Sequence, residues 1–404
     1  MSTAAPPLGP QALARAALTY LAEPGDPALG ALLAICEPAE ILAAIKADML
    51  PATGPGCGDS PASRKALERA LECWRARLPG LPDDSGLAEA GRRGIRLVCP
   101  ADPEWPAGLD ELGQARPYAL WLRGCADLRA GCLRSAAMVG CRAATGYGAH
   151  VAGEIAADLG EQGWTIVSGG AYGIDAAAHR GALNGGSVTI AVLACGVDHP
   201  YPAGHAGLFA DIAAQGLVIS EWPPGRHPAR LRFLVRNRAI AALASGTVIV
   251  EAGERSGALN TARHAADLGR PLMAVPGPVT SGQSAGCHQI IREWGATCVT
   301  CAADVIEMLS PLGAAGPQAN AGRPGPAPSP AAGSRSADPS PSRDELDPDS
   351  ARVLDALPAR GGAGTSTIAV EAGLDLDTVL RCLGLLAGCG FIERCDKGWR
   401  LRRR

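Results

Sequence analysis

Between about residues 134 and 310, short apolar runs alternate with helical stretches, and this alternation limits the possible folds more than any other feature of the chain. The runs are Ser135–Val139, Trp164–Val167, Val188–Leu193, Leu217–Ile219, Val248–Val250 and Leu272–Val275. They are apolar nearly throughout, as strands covered on both faces are. Between them lie helical patterns such as 148–160, where Val151, Ile155 and Leu159 recur at i, i+4 and i+8. Strands alternating with helices imply right-handed crossovers and a mostly parallel sheet with helices on both sides. The expected fold class is α/β, with a Rossmann-like, doubly wound core over 86–312. Aromatic residues are only 4% of the chain, so this core has to be built from Ala, Leu, Val and Ile.

Other patterns flank the core. Residues 10–50 read as short helices, with Asp26-Pro27 as an N-cap and first-turn pair and Ile41, Leu42, Ile45 and Leu50 at helical spacing. A Gly/Pro/Ser break at 51–63 precedes an exposed helix near 63–77. This small helical region, 1–85, reads as a SAM- or helix-hairpin-helix-like DNA module or as a packing appendage. Residues 313–345 read as a disordered linker: Gly316–Ser342 holds seven prolines among Ala, Gly and Ser, too little apolar surface to fold. Pattern returns over 346–404, with helices near 349–357, 365–371 and 375–387 and two strand-like pieces at Phe391–Glu393 and Trp399–Leu401. Three helices and a ribbon suggest a winged-helix module.

The net charge of −3 excludes a globally basic nucleic-acid binder but not a local basic groove. Lys46, Lys65 and Lys397 are the only lysines among 37 basic residues, so the position of arginines, not their number, carries information. No apolar run approaches the roughly 18 residues of a membrane span, and no basic segment followed by an apolar core opens the chain. The expectation is a soluble, cytoplasmic protein with no membrane association. The fourteen cysteines are scattered, and Cys298-Val-Thr-Cys301 has no second pair at zinc spacing. Reduced thiols, no metal and no cofactor are expected.

In an open parallel sheet, ligands sit beyond the carboxyl ends of the strands. There the sequence places Val139-Gly140-Cys141-Arg142 and Ser168-Gly169-Gly170-Ala171-Tyr172-Gly173-Ile174-Asp175. Glycine turns entering helices present backbone N–H groups and the positive helix end to an anion, and Arg142 adds a fork that matches phosphate. Neither loop has dinucleotide spacing, and no acid ends the next strand to hold a ribose. Between Trp222 and Ile240 stand Arg226, Arg230, Arg232, Arg236 and Arg238 without a single acid. Trp222 and Phe233 either stack on bases or pack the sheet. Ser256-Gly257 offers a further helix-start contact. Glu251 reads as a catalytic group or a cap, and His179 as a packing histidine.

These motifs, with Tyr201-Pro202, Ile219-Ser-Glu221, Phe233-Leu-Val-Arg236-Asn237-Arg238, Val275-Pro-Gly277 and the lead-in Asp102-Pro103 to Leu120–Gly124, strongly resemble the DprA/Smf family of DNA-processing proteins. The resemblance is close over about 95–310 and looser at both ends. It implies a protein without enzymatic activity that binds single-stranded DNA as a homodimer, protects incoming strands and hands them to the recombinase RecA in natural transformation. By motif match, Gly140, Arg142, Ser168, Gly169, Gly170, Gly173, Arg236, Asn237, Arg238, Ser256 and Gly257 would line the DNA or phosphate site, with Arg142 gripping a phosphate and the Ser168–Gly173 amides cradling it. The chain departs from the family pattern at Cys141 (usually Ser), Leu234 (usually Pro) and Cys287-His288 (usually Thr-Asn). The runner-up is a nucleoside-monophosphate phosphoribohydrolase-like enzyme. Its Pro-Gly-Gly-x-Gly-Thr-x-x-Glu motif is not matched by Gly253–Thr261. The third helix of the winged module offers only Arg381 as a cation, so a protein contact there is as well supported as a DNA contact.

Overall fold

The computed structural model describes residues 8–49, 61–310, 348–357, 362–388, 391–395 and 398–401. The chain divides into two compact units, 1–319 and 320–404. The predicted linker at 313–345 and most of the break at 51–63 lie outside the described residues.

The first unit is built on a nine-stranded sheet: β1 (Ile95–Val98), β2 (Leu120–Gly124), β3 (Ser135–Val139), β4 (Thr165–Ser168), β5 (Thr189–Leu193), β6 (Leu217–Ser220), β7 (Gly246–Ile249), β8 (Leu272–Ala274) and β9 (Thr297–Cys298). Their order is β1-β2-β6-β5-β4-β3-β7-β8-β9. Strands β3 to β9 run parallel, whereas β2 pairs antiparallel with β6 and β1 antiparallel with β2. The mostly parallel, doubly wound sheet expected from the alternation is therefore present, and an antiparallel pair that the alternation did not reveal extends it.

Successive side chains of a strand point to opposite faces, and β3 shows it. Ala137 and Val139 enter a core with Ile240 and Leu243 of the helix Arg230–Leu243, Ala262 of Ala258–Asp267 and Ile290 of Ala285–Glu293. Ala136 and Met138 enter another with Ile155 of the helix Gly146–Glu161, Ala178 of Ile174–Asn184 and Val305 of Ala302–Leu309. Small residues set the spacing on this second face. A methyl group on Gly181 would meet the backbone of Gly153 in the neighbouring helix, which is how a core so poor in aromatics stays dense.

The N-terminal helices Pro10–Leu21, Pro27–Leu33, Pro38–Lys46 and Pro61–Ala76 belong to the same unit. Asp26 caps the second by accepting from the N–H groups of Ala28 and Leu29 at 2.9 and 3.3 Å. Their apolar faces, including Leu18, Leu29, Ile41, Leu71 and Trp74, share a core with Tyr118, which precedes β2. The phenol of Tyr118 donates to the carbonyl of Glu23 at 2.9 Å.

The second unit holds the helices Pro348–Asp355, Thr365–Ala372 and Leu376–Gly388 and an antiparallel ribbon of β10 (Ile392–Cys395) and β11 (Gly398–Leu401). Val353, Ile368, Val379, Leu383 and Ile392 form its core. Gly373, at φ 64°, ends the middle helix in the left-handed conformation usual for such a stop. Among the described residues of the whole chain, no helix is long and apolar enough to cross a membrane.

Candidate functional site

From β3 the chain winds outward through β4, β5 and β6, then returns to the other side of β3 with β7. The loops leaving β3 and β7 diverge, and a crevice must open beyond their carboxyl ends. A groove of about 700 Å³ lies there, with Gly140 and Arg142 from the first loop and Arg255, Ser256 and Gly257 from the second among its walls.

Glu251 locks the two loops together. Its backbone carbonyl accepts from Cys141 N–H at 2.7 Å. Its buried carboxylate accepts from the Thr145 N–H at 2.9 Å and the Thr145 hydroxyl at 2.6 Å. Thr145 in turn caps the helix Gly146–Glu161 through the Gly148 N–H at 3.2 Å. Of the two readings left open for Glu251, this one is structural: it latches the β3 loop to the end of β7.

The latch holds Arg142 out in the groove. Arg142 is exposed, and its guanidinium lies 5.0 Å from the ring centre of Phe233. Phe233 leans on Tyr201, with ring centroids 5.6 Å apart. Arg230 and Arg255 are exposed on the same rim. Among the described residues none of these three arginines forms an ion pair. The rim thus combines unneutralised cations with an aromatic platform.

Arg236 and Asp175 form the floor. Arg236 is 4% exposed. Its Nη1 donates to the carbonyls of Gly169, at 2.9 Å, and Val192, and its Nε to Asn237 Oδ1 at 3.3 Å. Burial pulls its pKa down to about 10, against the opposing pull of Asp175. Burial raises Asp175 above the usual carboxylate range, against the smaller downward pull of Arg236 and the N–H groups of Ala171 and Gly169. Asn237 donates to Gly257 O at 3.3 Å and Asn260 Oδ1 at 3.2 Å, tying the arginine helix Arg230–Leu243 to the start of the helix Ala258–Asp267.

Two expectations need correction. Two amides of the Ser168–Gly173 cradle are already taken from within the chain. The Gly169 and Ala171 N–H groups already donate to Asp175 Oδ2, at 3.1 and 3.3 Å, and the buried Ser168 hydroxyl donates to Met138 O at 2.6 Å. Gly170 and Gly173 serve the turn at φ 69° and 77° and lie outside the groove lining. Arg238 is not in the groove either. It forks onto Glu221 at 2.6 and 2.7 Å, with both side chains buried, and its Nε donates to Ala115 O at 3.0 Å. Other members of the acid-free arginine run are likewise engaged from elsewhere in the chain. Arg232 pairs with Glu23 at 2.7 Å, Arg226 donates to Tyr20 O at 2.5 Å, and the buried Trp222 donates its indole N–H to Glu23 at 2.9 Å. The structure therefore brings Gly140, Arg142, Arg236, Asn237, Ser256 and Gly257 together, and adds Arg230, Arg255, Tyr201 and Phe233. Arg255 carried little sequence signal, because Glu254 adjoins it. His179 is buried, its Nδ1 2.8 Å from the Thr189 hydroxyl, and burial drives its pKa down to about 3.

Residues 96–310 match the family described as DNA recombination-mediator protein A. A DprA-named DNA processing protein of Mycobacterium tuberculosis is 43% identical over 407 residues, covering 98% of this chain and 96% of the relative. The chain belongs to the DNA recombination-mediator protein A family. The DNA processing protein DprA of Streptococcus pneumoniae is 41% identical over 205 residues, covering 51% of this chain and 71% of that one. The X-ray structure of the Streptococcus pneumoniae protein superposes with a TM-score of 0.58 at 31% identity, over 76% of this chain and 99% of that chain.

Within this family, the departures at 141, 234 and 287–288 leave the groove's cations in place. Cys141 is half-buried and fixes its loop through backbone bonds. Leu234 is exposed on the groove wall. Cys287 is buried beneath β7, its Sγ 3.6 Å from the carbonyls of Ile249 and Val250, and burial pushes the thiol up to about 12. His288 Nε2 lies 3.0 Å from Gly277 O.

Proposed function

We propose that this chain binds single-stranded DNA in the β3/β7 groove, as a binder and not a catalyst. The observation that carries the reading is Arg142, an unpaired cation laid against Phe233 at the switch point. It offers phosphate and ring contacts together. An aromatic platform needs unpaired bases and accepts any of them. Membership of a family named for recombination mediation supports the further steps: protection of incoming strands, loading of RecA during natural transformation, and action as a homodimer. Nucleation of RecA on a coated strand, with and without this protein, tests the loading step.

The direct test is retention of labelled oligonucleotides across a salt series. Single strands should bind more tightly than duplexes of the same sequence. If the three rim arginines each neutralise one phosphate, log affinity should fall against log salt with a slope of about −2. Affinity that ignores salt, or a preference for duplex, would sink the reading.

The domain division is a proposal of the same kind: residues 1–312 form the DNA-binding part, 313–345 a passive tether and 346–404 a winged helix. Every groove residue lies before 312. Truncation there should change single-strand affinity by less than about tenfold, or roughly 1.4 kcal/mol. A folded truncation of unchanged oligomeric state that fails to retain an oligonucleotide would place part of the DNA site in the C-terminal unit.

A further inference from the structure

We infer that Asp175 sets the ligand class of this groove. It fills the anion cradle of the loop after β4 from within, so the groove takes phosphodiesters along its arginine rim and refuses the terminal phosphate of a mononucleotide. The inference rests on the strand-binding reading above and adds what that site excludes.

A glycine turn entering a helix attracts anions through its N–H groups and the positive helix end. Here the turn runs into the eleven-residue helix Ile174–Asn184. The anion in it belongs to the chain: one oxygen of the buried Asp175 carboxylate takes both the Gly169 and the Ala171 N–H. A second observation shows that the place is built for negative charge. Arg236, beside it on the floor from the helix Arg230–Leu243, is almost wholly buried and makes no ion pair within 4.0 Å among the described residues. Among the described residues its hydrogen bonds run through Nε and Nη1. Asp175 is the largest opposite-charge influence upon it. Gly169 lets the guanidinium approach, since a methyl group there would sit 2.5 Å from Nη2. A buried cation and two converging amides would accept a phosphate oxygen if the carboxylate were absent. With the carboxyl group present, a dianionic terminal phosphate would meet an acidic group in its place and two amides already taken. A strand's singly charged phosphates can stay at the rim, where Arg142, Arg230 and Arg255 form no ion pair among the described residues.

The test uses the full chain, calorimetry with inorganic phosphate and adenosine 5′-monophosphate, and competition against a labelled single strand. The wild type should give no binding heat with either probe at millimolar concentration. The mononucleotide should displace the strand no better than sodium chloride of equal ionic strength. Asp175→Ser empties the cradle and should bind both probes, with at least a tenfold gain in displacement. Asp175→Asn keeps an acceptor oxygen in place without its charge, and should still refuse them. Mononucleotide binding by the wild type overturns the inference. So does a folded Asp175→Ser that binds no phosphate, or an Asn variant that matches Ser, which would make the effect one of charge alone. If Asp175→Ser does not fold, the wild type and Asp175→Asn decide, refusal by both supporting the inference and uptake by either overturning it. A wild type that fails to retain the strand would instead count against the strand-binding reading, because phosphate uptake is read separately by heat.

Discussion

Arg142→Ala should weaken single-strand binding by about 1.5–3 kcal/mol, between roughly tenfold and a hundred-and-fifty-fold, while the melting curve stays where it is. Among the described residues Arg142 makes no ion pair; it is exposed, and its guanidinium lies over the face of Phe233. Its loss removes a charge-assisted phosphate contact without opening a cavity. Arg142→Lys should recover part of the loss, because an ammonium keeps the charge but not the planar fork that lies on the ring. Anisotropy of a labelled strand, with thermal unfolding of the same samples, checks both halves. Unchanged affinity would leave Arg142 as an ornament of its turn and move the binding surface elsewhere.

Glu221→Ala should act on stability instead, costing about 3–5 kcal/mol, since it leaves Arg238 buried without its counter-charge. The two side chains are only 3% and 7% exposed and share both fork contacts. Replacing the pair together by Glu221→Leu and Arg238→Met should be milder than either single change, because no charge is stranded. Denaturant unfolding gives the stabilities, and strand binding at a temperature where every variant is folded gives the second readout. A double variant with intact stability and a large loss of strand affinity would return Arg238 to the DNA site.

What the sequence revealed depended on how local the signal was. Strands β3 to β8 showed themselves because buried parallel strands read as unbroken apolar runs. Strands β1 and β2 did not, since Arg96 and Arg123 interrupt them and their antiparallel pairing precedes the alternation. β9 is only two residues long. The glycine turns were visible, and so was Arg142. The arginine run misled for the opposite reason. It contains no acid, but two of its members meet carboxylates in space, Arg238 from Glu221 and Arg232 from Glu23, 209 positions before it. Asp175 stood in plain sight inside its motif. Only the folded turn shows that its own carboxylate takes the amides the motif appeared to offer.

Glu23 also bears on where the chain can be cut. The family match begins at residue 96, yet Glu23 holds Arg232 and Trp222, Tyr20 holds Arg226, and Gly25 lies over the guanidinium of Arg238. A fragment trimmed to the matched segment would bare this flank of the arginine helix and behave as an anion exchanger, taking up heparin or duplex almost as readily as a single strand. The opening helices thus act as an insulating sleeve that confines positive charge to one narrow track, and on the strand-binding reading proposed above, selectivity would be written partly outside the matched segment.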